Sequence, residues 1–228
     1  MVYFANIGKG LVITVRTKFD KQLATLNEEM IHMGSMMEQA IEMAISALVK
    51  QDVEKAKRTI LFADEIERKE KELQNMCFQI LLSQQPVASD LRMISSAMKM
   101  ITDMKRIGDQ AGDIAEISIH LADEEYIKKL EHLTQMAKET TVMVINSIEA
   151  FVRGDIVLAG EVIKSDDIVD DLFITVKKEL IRLIHENSAY GEQATDLLMI
   201  AKYFERIGDH AVNIAEKVIF AITGKQYE

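Results

Sequence analysis

The chain has 228 residues, 48% of them apolar, and a formal net charge of −10. This length can bury a substantial core, and this apolar content excludes a disordered chain. The charge points away from nucleic acid, whose phosphates are gripped by Lys and Arg, and toward cations or a basic protein partner.

Leu, Ile, Met, Ala, Glu and Lys dominate, with one proline and no tryptophan, which is the vocabulary of long helices. Residues 1–15, MVYFANIGKGLVITV, are apolar but lack the charged start and small-residue cleavage site of a signal peptide. They match nothing in the second half and are expected to be an extension outside the domain, with LVITV a weak strand pattern. A first helix is expected over about 16–50, where Leu23, Leu26, Met30, Met33, Met37, Ala40, Ala44 and Ala47 form a heptad seam. A second is expected over about 52–83, ending before Pro86, which lacks an N–H and disfavours helical backbone ahead of it. A third is expected over about 88–121.

The second half repeats the order. A fourth helix is expected over about 125–152, with Leu130, Leu133, Ala137, Thr140 and Val144 on its seam. Gly154 supplies the turn, a fifth helix spans about 155–186, NSAYG breaks it, and a sixth spans about 192–223. The short connections make sequential helices antiparallel neighbours. The expected fold is all-α, two tandem three-helix bundles related by an internal repeat over residues 16–122 and 123–228. No apolar run reaches the ~18 residues of a membrane span. Cys77, the one cysteine, forms no internal disulfide, fits a reducing compartment, and reads as a small buried apolar residue.

Acids recur at matching places. Asp52–Glu67 aligns with Asp155–Asp170, and the seam through Val53, Ala56 and Ile60, or Ile156, Ala159 and Ile163, then meets Glu67 and Asp170. In DMKRIGDQAGDIAE and YFERIGDHAVNIAE, residues four apart share a helix face, so Asp109 neighbours Asp113 and Glu205 neighbours Asp209. Glu116 and Glu216 extend these stripes. The stripes continue lines that begin apolar, at Leu91, Ile94 and Met98 or Ala194, Leu198 and Ala201. Ile107, Ala111 and Ile114, with Ile207, Ala211 and Ile214, make the other side of these helices apolar too. The third and sixth helices are therefore sandwiched, and Gly108 and Gly208 offer a close helix approach.

Carboxylates in such places are paired, protonated or bound to a cation. One reading is intrahelical pairing of Arg106 with Asp109 and Arg206 with Asp209. It does not account for Asp113, Glu116, Glu67 or Asp170. The other is a hard-cation site built from several carboxylates. Glu29 and His32 show the Glu-x-x-His spacing of di-iron bundles, but with no second copy the spacing reads as coincidence. There is no nucleophile–base constellation, phosphate loop or Cys/His metal spacing, so nothing argues for an enzyme.

RTKFDKQL at Arg16–Leu23, QPVASDLR at Gln85–Arg92, and the paired RIGDQAGDIAE and RIGDHAVNIAE resemble the PhoU family, from Arg16 to the C-terminus. The resemblance implies a cytoplasmic, non-enzymatic negative regulator of the phosphate regulon. It implies an adaptor between the ATPase subunit of the phosphate ABC transporter and the phosphate-sensor histidine kinase, and a homodimer. It also implies metal bound through acidic Glu/Asp-x-x-x-Asp motifs, one per repeat, with Fe, Mn, Mg and Zn all open. Carried onto this chain, the second motif is Glu205 and Asp209, supported by Asp167, Asp170 and Asp171. The first departs from the pattern, because Lys105 replaces an acid and leaves Asp109 and Asp113 with Asp64 and Glu67. Two unequal sites are expected, the stronger between the fifth and sixth helices. A carboxylate-bridged di-iron bundle and a purely structural adaptor without metal are the alternatives.

Overall fold

The computed structural model describes the backbone of residues 5–84 and 87–227, and the side-chain surroundings of 18–82 and 87–227. Six helices follow one another: α1 (Ala5–Lys50), α2 (Val53–Gln84), α3 (Ala88–His120), α4 (Glu131–Arg153), α5 (Ile156–Glu186) and α6 (Gly191–Thr223), with a 3₁₀ turn at Ser188–Tyr190 before α6. There is no strand among the described residues. α1–α3 form one three-helix bundle and α4–α6 the other. The bundles join through α1 against α4 and α3 against α6, leaving α2 and α5 at opposite ends. Residues of both repeats line a continuous core, so neither bundle closes on itself.

The seams are where the heptads place them. Leu26, Met30, Met33, Met37, Ala40, Ala44 and Ala47 are buried on α1, and Leu133, Ala137, Thr140 and Val144 on α4. α3 and α6 are sandwiched, each packed on three other helices, as α1 and α4 also are. Cys77 is buried, and burial pushes its thiol up to about 11, which suits a packing role. The helix ends follow side-chain chemistry. Asp155 Oδ1 accepts from the N–H groups of Val157 and Leu158 at 2.9 and 3.0 Å, capping α5. Gly154 ends α4 at φ 65°, in the left-handed region that glycine occupies freely. Its counterpart Gln51 holds φ 53° without that freedom, and its side-chain amide donates to the carbonyls of Leu121 and Glu124.

Three expectations change. LVITV lies inside α1, which runs without a break from Ala5. A lone five-residue apolar run has no partner strand to pair with, and helix propagates into it. α4 begins at Glu131 rather than near residue 125. The connector before it is pinned out of helical geometry: Tyr126 Oη donates to the Leu48 carbonyl at 2.6 Å, and the Ile127 N–H donates to Gln193 Oε1 at 2.7 Å. Leu130, read as a seam residue of α4, is the residue before its first turn and is still buried. Pro86 falls outside the described residues, between the end of α2 and the start of α3.

α3 and α6 run antiparallel. Arg92, in the first turns of α3, donates Nε–H to the Ala221 carbonyl at the end of α6, at 3.0 Å. The guanidinium thus meets an orphan carbonyl at the negative end of the helix dipole. Arg92→Ala should lower unfolding free energy by about 1 kcal/mol in urea titrations, with Lys restoring only part because it lacks the planar fork.

Candidate functional site

On α5 the buried line runs Ala159, Val162, Val169, Val176, and Asp166 falls on it, four residues after Val162 and three before Val169. This corrects the seam register. Glu67 and Asp170 flank the buried line beside Ile66 and Val169 instead of lying on it, and Asp170 is exposed. The apolar Ile60 and Ile163 suggested the wrong phase. Both are only half-buried, whereas Thr59 and Val162 beside them are buried. A β-branched threonine fills a seam position as valine does, with its hydroxyl donating to the Lys55 carbonyl at 2.9 Å.

Facing Asp166 is Gly208 of α6, where an added Cβ would lie 3.0 Å from Asp166 Oδ1. That oxygen is buried and has no hydrogen-bond partner. Burial, followed by the charges of Asp170, Asp209, Glu205 and Asp167, pushes the Asp166 carboxyl up to about 6. Asp170 is raised as well, first by burial and then by Glu205 and Asp167, with Lys202 opposing. Lys202 pairs with Glu205 one turn earlier on α6. The structure therefore brings the predicted Glu205, Asp209, Asp167 and Asp170 around Asp166, a residue that sequence reasoning missed. The signal was present: Asp166 is the acid that keeps the spacing of Ala159 and Val162.

An acid raised in this way stabilises the fold in full below its ordinary value of 3.8, and the contribution is lost as pH rises through about 6. Near neutral pH, Asp166→Asn in metal-free buffer should therefore be more stable than the parent. The gain should be about 1–2 kcal/mol after allowance for solvent screening. Denaturant titrations from about pH 4 to 8 should show the gap closing toward the acid end.

The first repeat differs at each of these points. Ala63 stands in the place of Asp166, and Gly112 packs over it, an added Cβ lying 3.3 Å from the Ala63 Cβ. Lys105 Nζ lies 2.5 Å from Asp109 Oδ2, and Lys71 Nζ lies 2.6 Å from Glu67 Oε1. The hydrogen bond from Lys71 lowers the Glu67 carboxyl below its usual range. Asp113 is raised, by burial first and then by Glu116 and Asp109, against the opposing charges of Arg206 and Lys105. The intrahelical pairing read for Arg106 and Arg206 gives way to other geometry. Asp109 takes Lys105, and the charge of Arg206 falls on Asp113 across the α3–α6 contact and on Tyr203 of its own helix. Glu29 is held by Lys69 of α2, so the Glu29–His32 spacing is accounted for by packing.

Sequence reasoning also missed a buried polar contact between the repeats. His210 Nδ1 donates to Asp103 Oδ1 at 2.9 Å, their side chains 9% and 14% exposed. No local signal could have found it, because the partners are 107 residues apart.

Among the described residues, no three His, Cys, Asp or Glu side chains already stand together as a metal-holding group. The α5–α6 acids nonetheless fit a hard cation by their chemistry. The donors are all oxygen, one of them is buried without a partner, and a glycine leaves room beside it. The α2–α3 acids do not fit as well, with Ala63 in the central place and lysines on Glu67 and Asp109.

Fold and site define a duplicated three-helix-bundle protein with a set of carboxylates gathered around Asp166 in its second repeat. The PhoU domain matches residues 30–118 and 133–218, one match per repeat, and the chain belongs to the PhoU family. It is 37% identical over 214 residues to the phosphate-specific transport system accessory protein PhoU homolog of Clostridium acetobutylicum, covering 93% of this chain and 98% of that one. It is 29% identical to the Escherichia coli accessory protein PhoU, covering 92% and 87%. The crystal structure of PhoU from Pseudomonas aeruginosa superposes with a TM-score of 0.86 at 32% identity, covering 91% of this chain and all (100%) of that one. No helix among the described residues is long and apolar enough to cross a membrane.

Proposed function

We propose that this protein is a cytoplasmic, non-catalytic regulator of phosphate uptake that holds the phosphate regulon off when phosphate is plentiful. In this role it is an adaptor between the ATPase subunit of the phosphate ABC transporter and the phosphate-sensor histidine kinase. The observation that carries the reading is the match of both repeats to the PhoU domain, joined to relatives named as phosphate-specific transport system accessory proteins. Deleting the gene should raise a phosphate-regulon reporter in phosphate-rich medium. Unchanged reporter output would reject the role.

The acids of α5 and α6 are proposed to bind a hard cation, with Fe, Mn, Mg and Zn all to be tested. Asp166, Asp170, Glu205 and Asp209 would hold it, with Asp167 adding charge, and the α2–α3 set of Glu67, Asp109 and Asp113 would hold a weaker one. The orphaned Asp166 oxygen supports this reading. A bound cation would supply the positive charge that lets neighbouring carboxylates ionise together. Elemental analysis of purified protein should show metal lost in Asp166→Asn and Asp209→Ala. Equal content in parent and variants would make these acids structural.

A further inference from the structure

We propose that the groove between α1 and α4 docks a lysine- or arginine-rich amphipathic helix of a partner protein. The partner's identity rests on the regulatory reading above, whereas the groove's chemistry does not.

The groove encloses about 310 Å³. Its floor is set by a close helix approach, since Gly34 has no side chain and Ile148 Cδ1 lies 2.7 Å from where a Cβ would be. Its walls are apolar, and Ile31 of α1 and Ile145 of α4 are 47% and 36% exposed on opposite sides. Two exposed isoleucines facing one groove form the apolar half of a helix-in-groove site, which takes side chains at i, i+3 or i+4 and i+7.

Charge selects the occupant. Glu38 and Glu149 stand at the rim. Between residues 22 and 49, α1 carries Glu28, Glu29, Glu38 and Glu42 but no Lys or Arg. Glu29 is taken by Lys69, while Glu28, Glu38 and Glu42 have no ion pair among the described residues. The rim's one arginine, Arg153, is held by Glu149 at 2.6 Å. An anionic lipid surface would be repelled here. A second copy docked groove to groove would set glutamates against glutamates in a chain of net charge −10. A basic amphipathic helix satisfies both features, its apolar stripe on the isoleucines and its cations on the rim.

The probe is a fluorescein-labelled leucine–lysine amphipathic peptide about five turns long, with a leucine–glutamate counterpart as control, followed by fluorescence anisotropy. The lysine peptide should bind and the glutamate peptide should not, with binding weakened by salt. Ile31→Ser/Ile145→Ser and, separately, Glu38→Lys/Glu42→Lys should each weaken it roughly tenfold. All four positions lie on the surface of the helices, and unchanged thermal melts would establish that the variants fold. Equal binding of the lysine peptide to parent and variants, or no binding to the parent, overturns the proposal. So does a dimer in sedimentation that Ile31→Ser/Ile145→Ser dissolves, because it assigns the groove to a second copy. The purified transporter ATPase subunit is the second arm, and the same variants should lose it. If the parent fails to hold that subunit while the peptide results stand, the adaptor reading fails and the groove survives.

Discussion

Gly108→Val destabilises the protein by about 3 kcal/mol, the cost of overpacking a filled core with a branched side chain. An alanine Cβ at this position would already lie 2.9, 3.0 and 3.2 Å from Cγ2, Cδ1 and Cβ of Ile66. Ile66 is fully buried, and the clash reaches its branch carbon, so no rotamer change clears it. Alanine alone would recover roughly 1 kcal/mol of helix propensity against that strain, and valine recovers less while adding two carbons. Gly34→Ala is the control. Its contact is with the tip of Ile148, which can swing toward the open α1–α4 groove, so the change should stay within about 0.5 kcal/mol of the parent. Guanidinium titrations of both variants test the contrast. Ile66→Ala leaves a cavity by itself but makes room for the larger side chain of Gly108→Val. The double variant should therefore be more stable than the sum of the two losses by at least about 1 kcal/mol. Additive losses would show that Gly108 is not there for Ile66.

What could be read from sequence follows the range of the physics. Heptad spacing is local and dominates helix burial, so the α1 and α4 seams, the six helices and the sandwiched place of α3 and α6 were all legible. Caps are local too, as Asp155 and Gly154 illustrate. The start of α4 was not legible, because Gln193 and Leu48, far along the chain, hold the connector. The acidic site was half legible. Matching acids in two repeats located the right helices, but a one-residue phase error, caused by ranking Ile60 above Thr59, put Asp170 on the line in place of Val169 and passed over Asp166. The departure at Lys105 was visible in sequence. Its consequence, an ion pair with Asp109, needed the structure.

The repeats have diverged where they face each other as well as in their acid sets. Asp103 and His210 align with Tyr203 and Gln110, so this polar contact between α3 and α6 has no acid–base copy at the equivalent positions of the other repeat. His210→Ala should cost about 2–3 kcal/mol, because it leaves the Asp103 carboxylate near the interior without its donor and opens a void beside it. Asp103→Asn should cost less than about 1 kcal/mol, since the amide oxygen still accepts from Nδ1–H. His210→Gln, which carries the residue of the first repeat and an N–H donor, should recover a large part of the loss. Urea titrations of these variants and of Asp103→Ala/His210→Ala complete a double-mutant cycle. A coupling energy near zero would mean that His210 stabilises the interface by packing alone. Because α3 and α6 are the helices that carry the acid stripes, loosening this contact should be felt at the acids. In His210→Ala, the stability gain from Asp166→Asn near neutral pH should shrink as solvent reaches the carboxylate.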